Sequence, residues 1–203
     1  GKLICSDIGE DNVEELNIIQ KGRNYGWPLR EGTFEFQLDP NKFSLLTLDS
    51  KDDGFTYPVA QFDHQEGRAV LGGYVYGGSR HPLLHGKYVF GEIVSGHLYY
   101  VDAADLSLGK VLPIQKLSVQ MNGNPTTMEQ VAQSGRVDLR LGRDLDGELI
   151  IMEKAQGRCY CPRGPPTPAR RRRHLTARLA PGSPRPRRGS SPPSRPGPGR
   201  PSR

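Results

Sequence analysis

Near the start of the chain five carboxylates stand within nine residues: Asp7, Glu10, Asp11, Glu14 and Glu15, with Gly9 and Asn12 between them. Calcium takes six to eight oxygens from carboxylates, amide side chains and backbone carbonyls in a bent loop. Gly9 supplies a bend and Asn12 a neutral oxygen, and carboxylates this close repel one another unless a cation or water comes between them. We expect a loop in which Gly9 and at least one of Asp11, Glu14 and Glu15 converge on one calcium position, with Glu10 beside them. The competing reading is an acidic, solvated turn. On a strand Glu14 and Glu15 would point to opposite faces, so both could not face inward.

A second constellation is basic. Arg136, Asp138 and Arg140 recur every second residue, which places them on one face of a strand. Arginine pairs with carboxylates in a bidentate fork, so Arg136 and Arg140 are candidates for holding an anionic ligand. Alternatively Asp138 neutralises both in a structural ion-pair ladder. His64, His81, His85 and His97 are separated by turns without zinc-like spacing and read as structural or surface residues. Cys5, Cys159 and Cys161 read as unpaired thiols, since Cys-x-Cys without a second pair is a weak metal motif. In Asn24-Tyr25-Gly26-Trp27-Pro28 the two large aromatics point to packing, and Gly26 permits a turn.

The elements that must position these residues are strands. Short apolar or alternating runs cover residues 2–6, 13–19, 70–76, 87–93, 97–102, 137–141 and 148–152, separated by turn signals. Gly72-Gly73 inside one run marks a close backbone approach. Val94-Ser95-Gly96 reads as a hairpin loop, and Asp146-Gly147 as a type I′ turn, because Asp-Gly suits positive φ. A third short strand follows Gln156-Gly157. Residues 112–133 are ambiguous: Asn122-Gly123-Asn124-Pro125 breaks them, and residues 125–134 suit one short helix. Many short antiparallel strands with Gly-rich turns fit a sandwich, a barrel or a propeller.

Composition divides the chain. Of 203 residues with net charge +6, residues 158–203 hold 13 Arg, 12 Pro and no acid, leaving 15 basic and 22 acidic residues in 1–157, a net charge of −7. A basic nucleic-acid-binding domain is thereby excluded for the first part. The tail has no Val, Ile or Phe and should be disordered. Its arginines would bind phosphates non-specifically, without aromatics for base stacking. Arg, Pro, Gly, Ala and Ser come from G/C-rich codons and the change is abrupt, which favours an out-of-frame tail over a functional arm. No run of 18 apolar residues is present, so no membrane span is expected. The chain opens on Gly1-Lys2-Leu3-Ile4-Cys5, like a strand interior, and reads as N-terminally incomplete.

Residues 7–32 carry a long pattern: Asp7-x-Gly9, then Glu14-Glu15-Leu16-Asn17, then Gly22-Arg23-Asn24-Tyr25-Gly26-Trp27. It resembles the glucose/sorbosone dehydrogenase family, the soluble quinoprotein six-bladed propellers that include hedgehog-interacting-protein-like proteins. The runs from Leu71 to Gly78, from Leu84 to Gly91 and from Arg136 through Asp146-Gly147 to Tyr160 are similar to later blades of that family. The resemblance implies an all-β fold in which residues 1–160 form the C-terminal half of a six-bladed β-propeller, about three to four blades of roughly 40–45 residues. Residues 161–203 would be the disordered tail.

The resemblance also implies chemistry. Enzymes of this type bind pyrroloquinoline quinone (PQQ) with calcium and oxidise the C1 hydroxyl of aldoses, assisted by a histidine in the first half of the propeller, which this sequence lacks. The chain alone should therefore be inactive. By resemblance Arg136 and Arg140 would meet the carboxylates of PQQ, and Gly9, Glu10, Asp11, Glu14 and Glu15 would supply calcium. Glu10 stands where the sugar dehydrogenases have proline, Gly77 where they have lysine, and Asp138 lies between arginines spaced four apart rather than two. These departures point toward the alternative, a non-catalytic binding propeller of the hedgehog-interacting-protein-like type with an extracellular protein partner in place of a sugar. The resemblance places either protein outside the cell or in the periplasm.

Overall fold

The computed structural model describes residues 1–39, 42–47, 54–162 and 175–179. Fifteen strands follow in order among them: β1 (Leu3–Asp7), β2 (Val13–Ile19), β3 (Arg30–Glu31), β4 (Phe34–Asp39), β5 (Lys42–Thr47), β6 (Ala60–Asp63), β7 (Val70–Val75), β8 (Lys87–Glu92), β9 (Leu98–Asp102), β10 (Gln115–Met121), β11 (Asn124–Thr126), β12 (Leu139–Arg143), β13 (Leu149–Glu153), β14 (Arg158–Tyr160) and β15 (Leu175–Leu179). One helix, α1 (Met128–Ala132), precedes β12, and a 3-10 turn spans Pro82–Leu84. Four antiparallel sheets result: β1-β2-β6, β3-β4-β5, β7-β8-β9-β10-β11 with β15 on β10, and β12-β13-β14.

Three sheets stack face to face, with the central one covered on both sides. Leu16, Ile18, Ala60 and Phe62 of the first sheet pack against Tyr88, Phe90, Tyr99 and Val101 of the second. Val89, Leu98, Tyr100 and Leu117 on its other face meet Leu139, Leu141, Leu149 and Ile151 of the third, together with Met128, Val131 and Ala132 of α1. This explains why all six residues of β8 are buried, the continuous apolar pattern of a strand covered on both faces. The leading strands β1, β7 and β12 lie side by side, β7 touching both of the others.

Local chemistry sets the turns. Asn122 (φ 55°) and Gly123 (φ 87°) form the two-residue link closing the Met121↔Asn124 register of β10 and β11, the φ pattern of a type I′ turn. At the Asp146-Gly147 hairpin, by contrast, Gly147 has positive φ and Asp146 does not. Five residues link Arg143 to Leu149, and the Asp144 carboxylate accepts from the Asp146 and Glu148 N–H groups. The I′ expectation at this site is therefore corrected: an Asx-type loop built on Asp144 replaces it. Thr127 caps α1, accepting from the Gln130 N–H while the Gln130 side chain accepts from the Thr127 N–H, a reciprocal capping box.

At Gly73 a Cβ would run into the carbonyl of Val89, and the β7–β8 register shifts between Leu71 and Tyr74. The close approach expected at Gly72-Gly73 is thus a bulge. The tail expectation needs one correction. Leu175–Leu179 pairs antiparallel with Leu117–Met121, and Leu175 is buried in the core beside α1, because an apolar residue at that register fills the open edge of β10. The remainder of residues 163–203 lies outside the described residues, as does any account of it as disordered.

Candidate functional site

The acidic loop joins β1 to β2 and wraps around a carboxylate from elsewhere. Glu31, buried at the end of β3, accepts hydrogen bonds from the backbone N–H groups of Asp11 (3.1 Å), Asn12 (3.0 Å) and Val13 (3.2 Å), and from Asn12 Nδ2 (3.4 Å). Successive N–H groups turned inward make an anion-binding concavity, and Glu31 is its anion. A Cβ at Gly9 would sit 2.5 Å from Glu31 Oε1 and closer still to the Val13 carbonyl, so this position accepts glycine alone. Glu10 and Asp11 are exposed.

Glu14 and Glu15 do point to opposite faces of β2, yet both are buried, because the strand is covered on each side. Glu14 reaches the adjoining sheet, accepting from the Val70 N–H at 2.7 Å and meeting His64 Nε2 at 3.0 Å. Burial pushes its carboxyl above the ordinary value, against the lowering effect of the Val70 N–H, His64 and the Gly9 N–H. Glu15 accepts from the Gly32 N–H and from Asn17 Nδ2 (2.9 Å). Burial raises its carboxyl as well, and the nearby Asp7 and Glu31 charges add to the effect. Among the described residues no three of His, Cys, Asp and Glu group as a metal site would need. Gly9, Glu10, Asp11, Glu14 and Glu15 are not brought to one point.

The arginines are also separated. β12 begins at Leu139, and Asp138 has a positive φ of 51°, so the period of two breaks before Arg140. Arg136 Nε is 2.9 Å from Asp138 Oδ1, and the Arg140 guanidinium donates to its neighbour's carbonyl at Leu139 (2.6 Å). The expected shared face of Arg136, Asp138 and Arg140 is replaced by an ion pair in the loop and an exposed arginine on the strand. Trp27 corrects the expectation of a buried aromatic: it is 55% exposed, with its ring tilted by 34° against buried Phe36 and the centroids 5.1 Å apart. Tyr25 does pack, its hydroxyl donating to the Ile18 carbonyl and accepting from the Gln20 N–H.

Sequence reasoning missed the surface of the leading strands and the carboxylates that join sheets. Tyr74 of β7 is exposed and lies under the Arg143 guanidinium of β12, 5.7 Å from its ring centroid. No spacing rule links residues so far apart, and Arg143 falls out of phase with Arg140. Glu148, buried, accepts from Tyr76 Oη (2.6 Å), the Ser79 N–H (2.9 Å) and the Arg80 N–H (3.0 Å). Burial raises its carboxyl, but these hydrogen bonds and the Arg80 charge outweigh burial and hold it below the ordinary value. Glu92, also buried, caps the β8–β9 loop through the Val94 and Ser95 N–H groups and Ser95 Oγ.

Residues 1–152 match the family model for glucose/sorbosone dehydrogenase. The chain belongs to that family. Among curated relatives, the HIPL2 protein of Arabidopsis thaliana is 30% identical over 104 residues, 48% of this chain, and the HIPL1 protein of the same plant is 31% identical over 97 residues, 45% of this chain. The aligned part is 14% of the length of each plant protein. The PQQ-bound form of Aldose Sugar Dehydrogenase from Streptomyces coelicolor superposes with a TM-score of 0.45 and 19% identity, over 87% of this chain and 40% of that one.

The cofactor that the dehydrogenase family implies can be tested against the donor set. A calcium seat needs oxygens directed inward, whereas this member of the family turns three loop N–H groups inward onto Glu31 and commits Glu14 and Glu15 to N–H donors on opposite faces. A tricarboxylate quinone needs free arginines, whereas Arg136 is closed onto Asp138 and Gly77 carries no cation. Among the described residues the acidic loop does not form a calcium seat, and of the two predicted arginines Arg136 is withdrawn from an anionic ligand while Arg140 remains exposed on β12.

Proposed function

We propose that residues 1–160 are part of a six-bladed propeller of the PQQ- and calcium-dependent aldose dehydrogenase type, and that this chain by itself does not oxidise sugars. Membership of the family and three stacked sheets with adjacent leading strands support the architecture. The observation that carries the functional reading is the Glu31-filled loop, where backbone donors face an internal carboxylate in place of oxygens facing a cation. On this reading residues 161–203 follow the propeller part, and of them Leu175–Leu179 is laid along β10.

That observation also favours the second reading, a non-catalytic binding propeller of the hedgehog-interacting-protein-like type, acting outside the cell or in the periplasm on an extracellular protein partner. The Arg136–Asp138 pair fits it, since a scaffold keeps its loops rigid without holding an anionic cofactor free. The test is a melting curve of the full chain with millimolar calcium plus PQQ and with chelator, followed by dye reduction with an aldose. We expect superimposable curves and no reduction. A rise in melting temperature that needs both additives, or aldose-dependent dye reduction, would overturn the reading.

A further inference from the structure

Strand β10 offers two edges. Leu117 is paired with Leu98 of β9 and also with Leu179 of β15, so β9 and β15 stand on opposite sides of it. Towards its other end β10 pairs with β11 on the β9 side and with β15 along all of Leu117–Met121. The outer edge of the central sheet therefore takes a full five-residue antiparallel ladder from a segment distant in sequence. Unpaired edges with apolar neighbours are templates for added strands, and extended peptides bind such edges through main-chain hydrogen bonds, with side-chain pockets giving selectivity.

The pocket here is apolar. Leu175, opposite Met121, is 1% exposed and packs in the cluster that holds Leu117, Val119, Met128 and Val131, with Met121 against it. Beside it Thr176 Oγ1 lies 3.5 Å from the Gln120 carbonyl. Twelve residues, 163–174, separate this strand from Pro162, and among the described residues β15 has no strand on its far side. A terminal strand held by one ladder opens more readily than a central one.

We propose that the outer edge of β10 is a strand-accepting site, occupied in this chain by its own Leu175–Leu179 and available, when that strand leaves, to an extended peptide of another protein bearing leucine at the Leu175 register. The strand of the same chain competes for the edge as an intramolecular partner, ahead of a free peptide. Occupancy from outside thus requires displacement of the tail, which makes the tail a competitor for the site.

The full chain carrying Leu175→Asp and Ala177→Pro, which empties the pocket and blocks the ladder, is titrated with a labelled peptide having the sequence of residues 173–181. Binding at least tenfold tighter than to the unmodified chain is expected, and it should vanish when the peptide carries aspartate at its Leu175 position. No binding to the substituted chain, equal binding to both chains, or indifference to the aspartate would overturn the proposal. Should the double substitution unfold the chain, amide exchange on the unmodified protein decides instead. Amides of 176–178 that exchange well ahead of those in β8 support a detachable strand, and exchange at the same rate as β8 overturns it.

Discussion

Buried carboxylates in this protein work as internal anions for backbone N–H groups, and their environments differ enough to give opposite responses to neutralisation. Glu148 receives a hydroxyl and two N–H groups and sits near Arg80. Hydrogen bonds to a charged acceptor are worth about 1.5–3 kcal/mol. Glu148→Gln should therefore lower stability by about that amount, read as a fall in the midpoint of urea unfolding at neutral pH. Glu15 is the reverse case: its charge is disfavoured by burial and by the Asp7 and Glu31 charges. Beside it Asn17 Oδ1 is buried with no partner. A glutamine at 15 keeps an oxygen for the Gly32 N–H and, once the Asn17 amide rotates, donates to Asn17 Oδ1, so that one unpaired group of Asn17 is exchanged for the other while the buried charge is removed. Glu15→Gln should leave the midpoint unchanged or raise it, and a fall of more than about 1 kcal/mol, the usual worth of one hydrogen bond, would contradict this account.

At the scale of elements, the β7–β8 pair depends on the bulge at Gly73. An added methyl would overlap the Val89 carbonyl, a backbone atom fixed by the ladder and unable to rotate away. Gly73→Ala should cost about 2–4 kcal/mol or more, in the range of severe overpacking, and should abolish the native near-ultraviolet circular dichroism. Gly123→Ala meets open space and bears only the positive φ, a cost of about 1 kcal/mol. The sequence exposed the Gly73 site through a glycine pair inside an apolar run. It also showed β2 in full, β1, β7, β8, β9, β12 and β13 to within two residues, and a short strand after Gln156-Gly157, since their alternation or apolar runs are bounded by turn residues. Strands β3 to β6 were not legible. β3 has two residues, β6 has four, and β4 and β5 carry polar residues among apolar ones. At Asp146-Gly147 the type I′ expectation fails and at Asn122-Gly123 a break conceals a two-residue turn, because an Asn-Gly or Asp-Gly pair does not reveal whether two residues or five separate the paired strands. Glu31 as the partner of the acidic loop was equally invisible, being at least 18 residues away from the N–H groups it holds.

For the molecule as a whole, the same carboxylates are the ties between sheets, so its response to acid is a sum of opposed terms. Glu14 joins the first sheet to the second and Glu148 joins the third to the loop after β7. Glu14 and Glu15, raised by burial, bind protons more readily folded than unfolded, so stability rises as pH falls through their folded values toward 4.5. His81 opposes them. Burial holds its imidazole below the ordinary 6.5, and its Nε2 is buried without a partner. The unfolded chain takes up that proton first, and stability falls as pH drops below 6.5. Glu148, held below 4.5, contributes stability that is whole above 4.5 and is lost as pH falls through its folded value. Between pH 6.5 and 4.5 the Glu14 and Glu15 terms therefore oppose the His81 term, and below 4.5 the loss of the Glu148 term adds a fall. Substituting His81→Asn should shift the melting temperature between pH 6.5 and 4.5 upward relative to its value at pH 7.5, while Glu148→Gln should blunt the fall below 4.5. A profile between pH 6.5 and 4.5 unaltered by His81→Asn would mean that the imidazole does not take part, and an acid limb unchanged by Glu148→Gln would place the acid-labile tie between sheets elsewhere.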